Sequence, residues 1–351
     1  MTARLALALA TALCLAIATA RGAVAGTPGL QTAVVFTQGE PRANASELIR
    51  RLSTPLGEEA VRATLARTGK ALKEQPLDLS LERFTVYVPP GPPPPGGYGV
   101  LVFVPPWEDA RLPATWTPVL DMAGVIFVSA ARSGNDVSVL GRREPLALIA
   151  AANIAAGYPV NPARVFVGGF SGGSRVAMRL AVAYPDIFAG ALLDAGADTL
   201  GEPAATIPPA DLFAQVQERS RIVYVAGEAD GANLEMNDDS LRAMRGWCVF
   251  NTDGEVAGGI GHEPLTADAL GRALRHLMAD PRPEPARLAT CRAGVERKLT
   301  AGLDQAAALI AAGRRAEAQK LLITLDRRYG GLAAPRIVAL WRDCGCAVEG
   351  R

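Results

Sequence analysis

The sequence predicts an α/β fold: a mostly parallel central sheet with helices on both faces, followed by a C-terminal helical appendage. Three observations predict it. Short apolar, β-branched runs alternate with longer runs of helical period through the middle of the chain. These strand-like runs lack a clean inside–outside alternation, which suits strands covered on both faces. Beyond Pro281-Arg282-Pro283-Glu284-Pro285 the strand pattern stops, and Ala- and Leu-rich helical runs take over.

The elements follow in order. Residues 1–25 read as a secretory leader: Arg4, an apolar stretch over 5–20, and Ala23-Val24-Ala25 as a small-x-small site that predicts cleavage after Ala25. The apolar stretch is short for a bilayer helix, so the mature chain is expected to be secreted or periplasmic with no stable membrane span. Residues 26–80 form an N-terminal extension with helical patterns at 45–52 and 57–72. A strand at 81–88 is followed by Pro89-Pro90-Gly91-Pro92-Pro93-Pro94-Pro95, read as a stiff, exposed hairpin connection because proline cannot extend a sheet.

Further strands are expected at 100–104, 125–129, 165–168, 191–194, 222–226 and 248–250, with helices at 144–156, 174–184 and 267–278. The short segment 195–221, which contains Pro208-Pro209, leaves little chain for a cap over the sheet, so any site there would be open to bulky or polymeric substrates. The α/β alternation occupies a core domain at 81–280. Residues 281–351 form the appendage, with helical runs at 288–312, 316–329 and 335–341.

Charge excludes some partners. Without residues 1–25 the chain has 34 basic and 35 acidic residues, a net charge of −1, and no basic block. That gives no footprint for nucleic acid and no polybasic membrane patch. The four remaining cysteines, Cys248, Cys291, Cys344 and Cys346, suggest disulfides in an oxidising compartment. Cys344 and Cys346 stand too close in sequence for an easy mutual bridge, so each is expected to reach another partner. Scattered cysteines without a nearby histidine fit zinc poorly, and no metal is expected.

The chemistry is concentrated at Gly169-Phe170-Ser171-Gly172-Gly173. It follows the strand-like Arg164-Val165-Phe166-Val167-Gly168 and precedes a helical run. A serine at such a corner is a nucleophile elbow, lifted above the sheet edge with a helix N-terminus behind it. Its hydroxyl needs a base, and the base needs an orienting group. The chain has two histidines. His276 sits inside a helical run, where packing or surface exposure is the ordinary role. His262 sits in the glycine-rich loop Gly258-Gly259-Ile260-Gly261-His262, which suits a base. For the acid, Asp230 ends the apolar run Arg221-Ile222-Val223-Tyr224-Val225-Ala226-Gly227; Asp198 and Asp253 are the alternatives, and all three also suit turns or helix caps.

The order Ser171, Asp230, His262 resembles that of the α/β-hydrolases. From about residue 81 to 280 the chain is similar to that superfamily, and the stretch from Arg164 to Ser174 most resembles secreted bacterial esterases of the polyhydroxybutyrate-depolymerase and feruloyl-esterase type. The resemblance implies a serine esterase in which Ser171 attacks, His262 is general base and acid, and Asp230 holds the imidazole. It also implies an oxyanion hole made by the backbone N–H of Gly172 and one from the loop after the strand at 100–104. Many relatives have His-Gly there, whereas this chain has Pro105-Pro106-Trp107. Proline has no N–H, so Trp107 is the first residue able to donate. The substrate implied is an ester, with no cofactor. A peptidase of the same fold, or a catalytically idle scaffold serving as a binding module, are the alternatives.

Overall fold

The computed structural model describes residues 27–346 except Pro76, Arg282 and Pro283. The leader read at 1–25 and the centre of the proline-rich boundary at 281–285 lie outside the described residues.

The chain opens with β1 (Gly29–Val34), α1 (Ala45–Leu52) and α2 (Pro55–Thr68). The layered core follows: β2 (Phe84–Val88), β3 (Tyr98–Val104), α3 (Thr117–Ala123), β4 (Val125–Ala130), α4 (Glu144–Gly157), β5 (Val160–Phe170) and α5 (Gly172–Ala183). It continues through β6 (Gly190–Asp194), α6 (Ala210–Arg219), β7 (Arg221–Gly227), α7 (Gly231–Gly246), β8 (Thr252–Ala257) and α8 (Ala267–Met278). Three helices close the described chain: α9 (Pro285–Ala311), α10 (Arg315–Tyr329) and α11 (Arg336–Cys344).

The strands form one eight-stranded sheet in the order β1-β2-β4-β3-β5-β6-β7-β8. β2 runs antiparallel to both β1 and β4, and every pairing from β4 to β8 is parallel. This order, with helices on both faces, is the α/β-hydrolase fold. The central strands are apolar because two buried layers cover them. Val100, Val102, Val104 and Val167 face one layer, with α4 and α5, while Leu101, Phe103, Phe166 and Leu192 face the other, with α3 and α8.

Three expectations change. The proline-rich run after β2 is not a hairpin connection, because β4 lies between β2 and β3 in the sheet. The expected strand at 248–250 is a buried connection instead, and the sheet's last strand is β8, further along. Trp247-Cys248-Val249 is apolar because it packs inward: the Trp247 indole N–H donates to Leu200 O at 2.9 Å, and Cys248 has a φ of 68°. Finally, Cys344 is bonded to Cys346, with Cα atoms 5.1 Å apart, because Gly345 ends α11 in the left-handed conformation and turns the chain back. Cys248 is bonded to Cys291, joining the end of α7 to α9.

The C-terminal helices build a cluster of their own from Leu299, Leu303, Leu322, Leu325, Ile337 and Trp341, and Leu56 of α2 completes it. Among the described residues no helix is long and apolar enough to cross a membrane.

Candidate active site

Parallel strands deliver the loops at their C-terminal ends to one edge of the sheet, and the chemistry-bearing residues gather there. Ser171 sits between β5 and α5 with φ 54° and ψ −121°, a conformation that a side chain rarely adopts. The glycines of the motif answer steric demands. A Cβ on Gly169 would lie 2.4 Å from the Gly173 backbone, and one on Gly173 would lie 1.9 Å from Val104 O. The elbow is thus folded tightly on itself and pressed against the end of β3. Its own amide is held as well, since Ser171 N–H donates to Asp194 O at 2.8 Å.

The structure brings Ser171, His262 and Asp230 together. His262 Nε2 lies 3.0 Å from Ser171 Oγ, and His262 Nδ1 lies 2.7 Å from Asp230 Oδ2. With Nδ1–H donating to the carboxylate, Nε2 is free to accept the serine proton. Asp230 caps the N-terminus of α7. Burial pushes its pKa up, but hydrogen bonds from His262 and Asn233 outweigh that and hold it below the usual carboxylate value. Asn233 Nδ2 donates to Asp230 Oδ2 at 2.8 Å, so the acid is fixed by its own helix while it fixes the imidazole.

The two alternative acids lie elsewhere. Asp198 pairs with Arg175 at 2.9 Å, and Asp253 faces His276 at 3.4 Å. Glu228 accepts the Gly259 N–H at 3.3 Å and helps hold the His262 loop.

Asp194 is a group that sequence reasoning missed. It ends β6 beneath the site and is 1% exposed. Its Oδ2 accepts the Leu265 N–H at 3.1 Å, and Leu265 O in turn accepts the Trp116 indole N–H at 2.8 Å. Asp194 therefore ties the elbow's neighbouring strand to the loop that carries His262. Burial, aided by the nearby Asp230 charge and opposed by the Leu265 hydrogen bond, raises its pKa well above the usual value and favours the neutral acid.

Gly172 is the first residue of α5, so its amide is among those a helix leaves without an internal partner. Trp107 lies in the loop after β3. Its ring centroid is 6.0 Å from that of Phe170, whose own ring lies 4.9 Å from the His262 imidazole. Asn135 N–H donates to Pro106 O at 3.0 Å. In a planar trans peptide the carbonyl and the following N–H point in opposite directions, so this bond also fixes the direction of the Trp107 N–H.

Beside Trp107 an open cavity of about 600 Å³ runs between the two loops. Leu112, Ile260 and Leu265 give it apolar walls, and Arg111 stacks on the indole at 4.3 Å.

The sequence matches no protein-family model and no curated protein. Among solved structures the chain is similar to LpqC, a poly(3-hydroxybutyrate) depolymerase from Bordetella parapertussis, at 21% identity and a TM-score of 0.42, covering 60% of this chain and 88% of that one. It is also similar to the S-formylglutathione hydrolase FrmB from Staphylococcus aureus, at 13% identity and a TM-score of 0.43, covering 56% and 93%. A longer Bacteroides ovatus chain named for dipeptidyl aminopeptidase IV matches at 14% identity and a TM-score of 0.40, over 57% of this chain; this chain spans 34% of that one.

Proposed function

We propose that the protein is a secreted or periplasmic serine hydrolase that cleaves carboxylic esters. The observation that carries the reading is the continuous relay Ser171 Oγ–His262 Nε2 at 3.0 Å and His262 Nδ1–Asp230 Oδ2 at 2.7 Å, set on a strained elbow at a helix N-terminus. In this reading His262 takes the Ser171 proton as Oγ attacks the ester carbonyl. Asp230 stabilises the resulting imidazolium, and the amides of Gly172 and Trp107 face the tetrahedral oxyanion. Collapse expels the alcohol, protonated by His262, and leaves an acyl group on Ser171. Water, deprotonated by His262, attacks that ester, and a second collapse releases the acid and restores the serine. The cavity beside Trp107 would take an apolar portion of the substrate next to the scissile bond. The leader sequence and the Cys248–Cys291 bond support the compartment.

A panel of p-nitrophenyl esters on the mature protein tests this. Ser171→Ala should lose roughly 10⁴-fold or more in kcat while keeping its melting transition. Asp230→Asn should lose about 10⁴-fold, because the amide favours the wrong imidazole tautomer. Asp198→Asn should stay within about twofold. Full activity in a folded Ser171→Ala variant would end the reading, and a larger loss in Asp198→Asn than in Asp230→Asn would move the acid.

A further inference from the structure

We infer that Arg143 is a positioning residue for the oxyanion loop, holding Pro105-Pro106-Trp107 from behind through its guanidinium; the inference rests on the esterase reading above. The starting point is a deficit in the sequence. Two consecutive prolines have no N–H, so this loop has no donors of its own until Trp107. It can be fixed only through its carbonyls, by donors that come from somewhere else.

The segment after β4 supplies those donors. Arg143 Nη2 donates to Pro105 O at 2.8 Å, Asn135 N–H to Pro106 O at 3.0 Å, and Arg132 N–H to Glu108 O at 2.7 Å. Three successive anchor points therefore pin the loop on either side of the Trp107 amide. The two segments also touch closely: a Cβ on Gly134 would lie 2.9 Å from the Trp107 carbonyl carbon.

Arg143 is placed for this task at a cost that packing alone does not explain. It is 3% exposed, and its Nε is buried without a hydrogen-bond partner. It closes the π-helical turn Val139–Arg143, in which its own N–H reaches back to Ser138 O at 3.1 Å. Such wide turns are rare and are frequently found at functional sites. Two carboxyl groups are close by: Glu144, itself fully buried and paired with Arg179 at 2.8 Å, and Glu108 on the held loop. A guanidinium can span this distance with a directed donor, whereas an apolar residue would leave Pro105 O unpaired in the interior.

Arg143→Gln and Arg143→Lys in the otherwise intact mature chain test the assignment by two readouts. The first is amide hydrogen exchange at Arg132 and Asn135, whose N–H groups donate to Glu108 O and Pro106 O of the loop, and over α5. The second is kcat and KM on p-nitrophenyl acetate. Arg143→Gln should speed exchange at Arg132 and Asn135 about tenfold or more while leaving α5 unchanged, and lower kcat about 10- to 100-fold with KM within about twofold, a loss below that of deleting an oxyanion donor outright. Arg143→Lys, which keeps the charge and one donor, should fall between Arg143→Gln and the wild type.

Wild-type exchange at Arg132 and Asn135 in a folded Arg143→Gln protein overturns the inference, and so does an unchanged kcat. If Arg143→Gln does not fold, Arg143→Lys decides by the same criteria. If the wild type hydrolyses no ester while exchange at Arg132 and Asn135 still rises in the variants, the esterase reading falls and the holding role of Arg143 stands.

Discussion

At the scale of single residues, two neighbouring carboxyls are driven in opposite directions. Asp230 receives hydrogen bonds from His262 and Asn233 that hold its pKa below the usual carboxylate value, whereas burial with one amide donor pushes that of Asp194 well above it. The linkage has a definite sign. Above the ordinary aspartate pKa of about 3.9 the unfolded chain releases the Asp194 proton while the native state keeps it. The native state then binds more protons than the unfolded one, so Asp194 makes stability fall as pH rises, until its raised folded pKa is passed. Asp194→Asn removes this dependence and keeps an oxygen for the Leu265 N–H. Urea unfolding at pH 4 to 7 should therefore show the variant gaining on the wild type as pH increases; a constant difference across that range would mean Asp194 is ionised in the native protein.

Ser171, His262 and Asp230 were readable in the sequence because each stands in a local pattern: an elbow, a glycine-rich loop, the end of an apolar strand. Asp194, Arg143 and Asn233 were not. Asp194 meets Leu265 across 71 residues and Arg143 meets Pro105 across 38, and no local pattern marks such meetings. Asn233 lies three residues from Asp230, but it becomes meaningful only once Asp230 is seen to cap α7.

At the scale of elements, the Cys248–Cys291 bond joins the end of α7 to α9 and closes a separation of 43 residues. A chain-entropy estimate for such a loop is about 4 kcal/mol. Noncovalent contacts hold the same helix, with Arg292 reaching Gln217 at 2.6 Å and Glu218 at 3.0 Å. Cys291→Ser should therefore lower the melting temperature by several degrees but leave ester hydrolysis within about twofold. An unchanged melting curve would show that the bond contributes nothing to native stability.

The strands from β3 to β7 were legible because burial on both faces demands unbroken apolar runs. The edges were not. β8 reads Thr252-Asp253-Gly254-Glu255-Val256-Ala257, polar because an edge strand faces water and is guarded by charge, while the apolar Trp247-Cys248-Val249 before it is buried without being a strand. β1 alternates half-buried and exposed positions only as far as Thr32, too brief a pattern to separate from a loop. α7 carries so many Asn and Asp residues that its helical period is faint.

At the scale of the whole molecule, the C-terminal helices attach away from the chemistry. Their cluster is completed by Leu56, whose N–H donates to the Asp326 carboxyl at 3.0 Å. Gly331 N–H donates to Ile207 O at 2.8 Å, and the Tyr329 ring lies 5.5 Å from Trp247. These contacts grip α2, the segment before α6 and the end of α7. By contrast Trp107, Arg143, Ser171, Asp194, Asp230, Asn233 and His262 all precede residue 280. We therefore propose that residues 281–351 are separable from catalysis. A chain ending at Asp280 loses the disulfide partner of Cys248 and the cover of Leu56, so it should melt well below the full chain. It keeps every group the mechanism uses, so a fluorophosphonate should still label it at Ser171, at a rate within about tenfold of the full chain. Circular dichroism and a cooperative melt establish that the shortened chain is folded. If it is folded and neither reacts with the probe nor hydrolyses any ester, the helices shape the active site through α2 or α7, and the separation proposed here is wrong.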